Sequence, residues 1–200
     1  MGFYGSERQR ETLEGKKVEV TEPMRRGQDL EPVIRHMFLD YLMRERIQFA
    51  YETPKSFMIT HKDAQVISTN DGCFKLCSHY PMSFVQPGKY YPLEIKAPSH
   101  QNYSLKAPYL TQLTLEAIAL NVDRVLYVAG DDKRFRLSVV QIPHYVKQQV
   151  LNSIQLFEDL KSKKITLKTY KSECSKFRRF CFGIAPDLVI YSIFITKEYK

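Results

Sequence analysis

The segment richest in chemistry is Tyr91-Pro92-Leu93-Glu94-Ile95-Lys96. Side chains of a β-strand alternate between its two faces, so Glu94 and Lys96 project together while Ile95 turns toward the core. A carboxylate and an ammonium then share one face, and upstream Asp71, at the end of a predicted hairpin, can join them. Two carboxylates suit a hard cation such as Mg²⁺, with Mn²⁺ as the alternative, and a bound ion lowers the pKa of its water for in-line attack on a phosphodiester. Lys96 would orient that water or take its proton, which requires partial desolvation. By itself Glu-x-Lys is a common feature of solvated strand faces. The apolar strand around it, the upstream aspartate and the helix that follows make it a candidate site.

These residues depend on the elements that carry them. Leu30, Val33, Ile34, Met37, Phe38, Tyr41 and Leu42 recur at helical spacing, with Asp29 as N-cap and Pro32 in the first turn. Ser56–Thr60 and Gln65–Thr69 read as a hairpin, followed by the turn signal Asn70-Asp71-Gly72. The aromatic stretch 73–90 reads as irregular, and Tyr91–Lys96 as a short strand. Pro108 opens a helix through Asn121. Asp123–Val128 and Arg134–Ile142 are predicted strands, and Val146, Val150, Ile154, Phe157 and Leu160 mark a last amphipathic helix. This order predicts an α/β fold with a mixed central sheet flanked by helices. Three parts are expected: a lead-in over 1–22, a core over 23–160 and a basic C-terminal extension over 161–200.

Four blocks, in order, carry a family resemblance. Met24-Arg25-Arg26-Gly27-Gln28-Asp29-Leu30-Glu31-Pro32 has a glycine followed four residues later by an acid; Asn70-Asp71-Gly72 stands where the family has Pro-Asp-Gly; Leu93-Glu94-Ile95-Lys96-Ala97-Pro98 matches a Leu-Glu-Ile-Lys-x-Pro strand; and Tyr109-Leu110-Thr111-Gln112 matches a helix bringing a glutamine to the site. Together they resemble the YqaJ-type viral recombinases, lambda-exonuclease-like members of the PD-(D/E)xK nuclease superfamily. The resemblance implies a restriction-endonuclease-like core and a Mg²⁺-dependent deoxyribonuclease, an exonuclease on double-stranded DNA ends in recombination, repair or viral genome processing. It further implies that Asp71, Glu94 and the Ile95 carbonyl oxygen hold metal, Glu31 completes or supports a metal position, Lys96 is the catalytic lysine, and Gln112 holds Lys96, water or a substrate phosphate. A ring-shaped trimer and a single-strand-annealing partner also follow from the resemblance alone. The rival readings are a nuclease fold serving as a DNA-binding or interaction module without turnover, and a nuclease acting on RNA.

Composition fits this picture. The 200 residues carry a net charge of +8, with hydrophobic content of 44%, as in a globular domain. Residues 1–160 hold twenty basic and nineteen acidic side chains, whereas 161–200 hold ten and three, so the positive excess is local. In that basic segment Lys176, Arg178 and Arg179 are candidates for nucleic-acid phosphates, and Tyr170, Phe177, Phe180 and Phe182 for base stacking; the competing reading packs these aromatics on the core. The cysteines, Cys73, Cys77, Cys174 and Cys181, lack tight metal or redox spacing and read as free thiols. With neither a secretory signal nor a run of apolar residues long enough to span a bilayer, the expectation is an intracellular protein without membrane contact, nucleus and cytoplasm remaining open. No serine-hydrolase elbow, phosphate-binding loop or dinucleotide glycine pattern occurs.

Overall fold

The chain is described here from a computed structural model covering residues 21–77, 85–98 and 102–196. All but the last two residues of the expected lead-in lie outside the described residues.

Helix α1 (Glu22–Arg44) begins well before the N-cap expected at Asp29. Pro23 occupies its first turn, where a missing N–H leaves no bond unmade, and Pro32 is interior rather than initial. Ile34, Met37, Phe38 and Leu42 form its buried stripe. Strands β1 (Phe49–Glu52), β2 (Ser56–His61) and β3 (Ala64–Thr69) follow, β2 and β3 pairing as the expected hairpin.

The stretch after Asp71 is not irregular throughout: Gly72–Leu76 forms β4, antiparallel to both β1 and β5 (Tyr90–Lys96). Helix α2 (Ala107–Ala119) opens with a proline in its first turn, as expected from Pro108. Strands β6 (Arg124–Gly130) and β7 (Arg134–Gln141) and helix α3 (His144–Lys161) complete the part legible from periodicity.

Beyond 161, helix α4 (Leu167–Ile184) is capped by Thr166, whose side chain accepts a hydrogen bond from the Thr169 N–H at 3.1 Å. A short 3₁₀ turn, Ala185–Leu188, leads into β8 (Val189–Thr196), which pairs antiparallel with β7 and extends the sheet. The sheet order is β1-β4-β5-β6-β7-β8; β5 and β6 are parallel, and every other neighbouring pair is antiparallel.

Register assigns the faces. Phe38 of α1 packs on Phe74 and Phe135, so the α1 side of the sheet is lined by those residues and their register neighbours, Tyr91 opposite Phe74 and Gly130 opposite Phe135. Alternation along β5 places Leu93 and Ile95 with Tyr91 on this side and turns Glu94 and Lys96 to the other. There Tyr109 of α2 packs against Tyr127, the register partner of Glu94. The central strand therefore carries an apolar face under α1 and an ionic one under α2.

Candidate metal centre

Asp71 is fixed by its neighbours before any ligand is considered. Asn70, standing where the family's turn has proline, is fully buried and holds the turn firmly: its Oδ1 accepts from Lys55 N at 3.0 Å, and its Nδ2 donates to Cys73 Sγ at 3.2 Å. The Asp71 N–H donates to the Leu93 carbonyl at 3.0 Å, and its Oδ2 accepts from Ile95 N at 2.7 Å. These bonds tie the aspartate to both sides of Glu94. Gly72 permits a further contact, since a Cβ there would lie 2.3 Å from the Tyr51 ring. The ring occupies that space, and the Tyr51 hydroxyl donates to the Asp71 carbonyl at 2.8 Å.

Glu94 is fully buried, and its Oε1 is ion-paired with Lys96 Nζ; Oε2 has no hydrogen-bond partner. Lys96 is 23% exposed at its side chain, and its ammonium lies 5.6 Å from the Tyr109 ring centroid. The pair thus sits between a dry strand face and the aromatic wall of α2, where an ion pair is poorly screened.

Glu31 approaches from α1. It accepts from Arg35 Nη2 at 3.0 Å, one helical turn on, and shares a hydrogen bond with the Asp71 carboxyl group. Burial first, then the bond and the Asp71 charge, raise the Glu31 pKa from its ordinary 4.5 to about 7, against the opposing pull of Arg35 and Lys96. Two carboxyl groups this close need a shared proton or a cation.

Gln112, on α2, reaches the Thr69 carbonyl at 3.5 Å, at the end of β3 just before Asp71. One turn later stands Glu116, which is not among the candidate residues read from the sequence. It is fully buried, with no hydrogen-bond partner of proper geometry for either oxygen. Burial, followed by the Asp71 charge, holds its pKa well above the carboxylate range, with Lys96 and the Gln112 side chain acting oppositely. A signal existed: Glu116 is the sole charged residue of α2 and lies three residues from Leu113, beside the apolar stripe.

Glu31, Asp71, Glu94 and Lys96 are therefore brought together, with Gln112 at the rim. Ile95 enters through its N–H to Asp71. The donors suit a hard divalent ion: all are oxygens, Glu94 Oε2 is an orphan, and Glu31 and Asp71 touch. Among the described residues no three Asp, Glu, His or Cys side chains form a ready-made cage, so backbone oxygen or water would complete any coordination.

The basic segment lies elsewhere. Lys176, Arg178 and Arg179 are exposed on α4; Lys176 pairs with Glu173 at 2.6 Å, the Arg178 guanidinium lies 5.5 Å from the Phe182 ring, and Arg179 Nε donates to the Ser175 carbonyl at 3.4 Å. Of the aromatics proposed for base stacking, Tyr170 and Phe177 are buried on the core side of the helix, which corrects that reading for both. Phe182 is exposed.

A mixed sheet under helices, with carboxylates and a lysine gathered at the end of a central strand, defines the restriction-endonuclease-like nuclease fold. Within that class the chain belongs to the YqaJ-like viral recombinase domain family, whose match spans residues 6–155, three quarters of the sequence. This is a recombination-associated nuclease family. The match ends within α3, so α4 and β8 lie outside it. No curated protein matches the chain. A solved structure described as "Crystal structure of SSO0001" is similar at 13% identity and a TM-score of 0.41, over 66% of this chain and 59% of that one. The chain thus spans less than two thirds of that structure's length. Among the described residues no helix is long and apolar enough to cross a membrane.

Proposed function

We propose that the chain is a divalent-metal-dependent deoxyribonuclease acting as an exonuclease on double-stranded DNA ends. The observation that carries the reading is the buried Glu94–Lys96 pair held beside Asp71 by the Ile95 N–H. A lysine next to two carboxylates serves phosphodiester hydrolysis, whereas a binding module has no need of it.

Asp71, Glu94 and the Ile95 carbonyl would hold Mg²⁺ or Mn²⁺, with Glu31 supporting. The ion supplies Lewis acidity toward the phosphodiester and toward the attacking water. Lys96 positions that water, and the largely buried setting under α2 limits solvent screening of the ammonium. Gln112, beside the strand end that precedes Asp71, contacts the substrate phosphate or the water. Fixed donors at Asp71 limit reorganisation during the reaction. A ring-shaped trimer and a single-strand-annealing partner belong to the same proposal through the family.

The test is incubation of purified protein with 5′-phosphorylated linear duplex, circular duplex, single strands and RNA, with Mg²⁺ or EDTA, alongside Lys96→Ala and Glu94→Ala. Loss of linear but not circular duplex, only with Mg²⁺ and only in the wild type, is expected. Cleavage of RNA alone would transfer the reading to a ribonuclease. Absence of metal-dependent cleavage of every substrate would leave a non-catalytic module.

A further inference from the structure

Among the described residues Glu116 stands out as a fully buried acid, 0% exposed, with both side-chain oxygens unpartnered. It is the one charged residue of α2, whose other buried positions are Ala107, Leu110, Thr111, Leu113, Thr114, Leu115 and Ala117. A buried acid in this setting is costly unless a proton or a cation meets it. Glu116 lies one turn after Gln112 on the same stripe of α2, and Gln112 reaches the Thr69 carbonyl beside the Asp71 turn, so the acid lies on the site side of the helix. The Lys96 ammonium is already engaged with Glu94.

The facing strand has the same deficiency. Glu94 Oε2, on the sheet face that α2 covers, is buried without a partner. Carboxyl groups from α1 and α2 thus both act on Asp71 in the β3–β4 turn, with Arg35 and Lys96 as the opposing charges, and Lys96 is itself held by Glu94 of β5. The shortage is of positive charge.

We propose that Glu116 is a further acidic determinant of divalent-cation binding at this site, contributing its carboxylate through a water from the helix side. The inference rests on the metal-dependent reading above and adds a residue to it. It accounts for an acid in an otherwise uncharged helix: a cation at this site would supply the positive charge that the buried, unpartnered carboxyl group lacks. Gln112, one turn earlier, stands at the rim of the site.

The experiment is Mn²⁺ binding to the full chain without DNA, by calorimetry, for wild type, Glu116→Gln, Glu116→Met and Asp71→Asn. Glu116→Gln is expected to weaken Mn²⁺ binding by about 10-fold, within the range for groups that support metal ligands. Its thermal midpoint in EDTA should equal or exceed that of wild type, because the unpaired acid is gone. Glu116→Met, an apolar replacement suited to the surrounding leucines, should weaken binding similarly. Wild-type affinity in either Glu116 variant, with binding lost in Asp71→Asn, would overturn the role of Glu116 and leave the metal reading standing. Undiminished binding in Asp71→Asn as well, or none in wild type, would instead remove the metal reading on which the inference rests.

Discussion

The end of β5 and the outer face of α4 both concentrate charge, under opposite physical regimes. At β5 a fully buried Glu94 is matched to Lys96, and Asp71, Glu31 and Glu116 interact closely around the pair. On α4 the cations Lys168, Lys171, Lys176, Arg178 and Arg179 are exposed, while Tyr170, Cys174, Phe177 and Cys181 anchor the helix to the core. Charge at β5 works against folding, so its presence calls for a functional account. Charge on α4 is solvated and nearly neutral to stability. Substitutions should therefore couple stability and activity at β5 and leave them uncoupled on α4.

The largest effects are expected from splitting the buried pair. Lys96→Met strands Glu94, and should reduce cleavage by about 10²- to 10⁴-fold, the range for removal of a proton-handling group. It should also lower stability by about 3 kcal/mol, the lower end for breaking a buried ion pair. Adding Glu94→Gln should recover most of the stability and none of the activity. Urea unfolding of the single and double variants measures this; a double variant no more stable than Lys96→Met would show that the stranded Glu94 charge is not what destabilises the single variant.

Next comes Gly72→Ala. The new methyl would overlap the Tyr51 ring, so the ring must leave and its hydroxyl must release the Asp71 carbonyl. A loss of about 1–3 kcal/mol, typical of overpacking, should accompany a drop in cleavage. Tyr51→Ala/Gly72→Ala, which clears the clash without restoring the hydrogen bond, should regain stability more than activity.

The coupled regime also has a pH signature. Glu31 titrates at about 7 in the fold against an ordinary 4.5, so between these values the folded chain retains a proton that the unfolded chain has released. The stabilisation is fully present below the lower value and disappears as pH rises through about 7; the upward shift of Glu116 has the same sign. In EDTA the urea midpoint should therefore fall from weakly acidic to neutral pH, and Glu31→Gln should flatten the fall. A wild-type midpoint that rises over this window would contradict the proton sharing between Glu31 and Asp71.

The parts of this comparison differed in how far sequence exposed them. Asp71, Glu94 and Lys96 were legible because strand alternation and a turn signal are local rules. Pro32 misled the start of α1, since the rule placing proline in a first turn applies to Pro23 nine residues earlier. Strand β4 escaped notice because its burial pattern is nearly continuous, without the alternation that marks a half-buried strand. The apolar run of β8 was visible, but its pairing with β7 joins residues 49 to 62 positions apart, as in Ser138 opposite Ser192, and no local pattern encodes that. Glu116 escaped because its meaning depends on what α2 covers.

The smallest effect is expected on α4, where it tests the solvated side of the comparison. Lys168, Lys171, Arg178 and Arg179 recur at helical spacing along its exposed surface, whereas Lys176 is already engaged by Glu173. Replacing Lys176, Arg178 and Arg179 together should change stability by no more than about 0.5 kcal/mol, as for ordinary surface positions. If these cations meet DNA phosphates, duplex binding should weaken and its logarithmic salt slope should flatten by about 0.9 for each phosphate no longer neutralised. Because Lys176 gives up an ion pair to meet a phosphate, Lys176→Ala alone should flatten the slope less than Arg179→Ala. Fluorescence titration of duplex across a salt series reads both quantities, and an unchanged slope in the triple variant would make the α4 charge a solvated surface with no share in holding DNA.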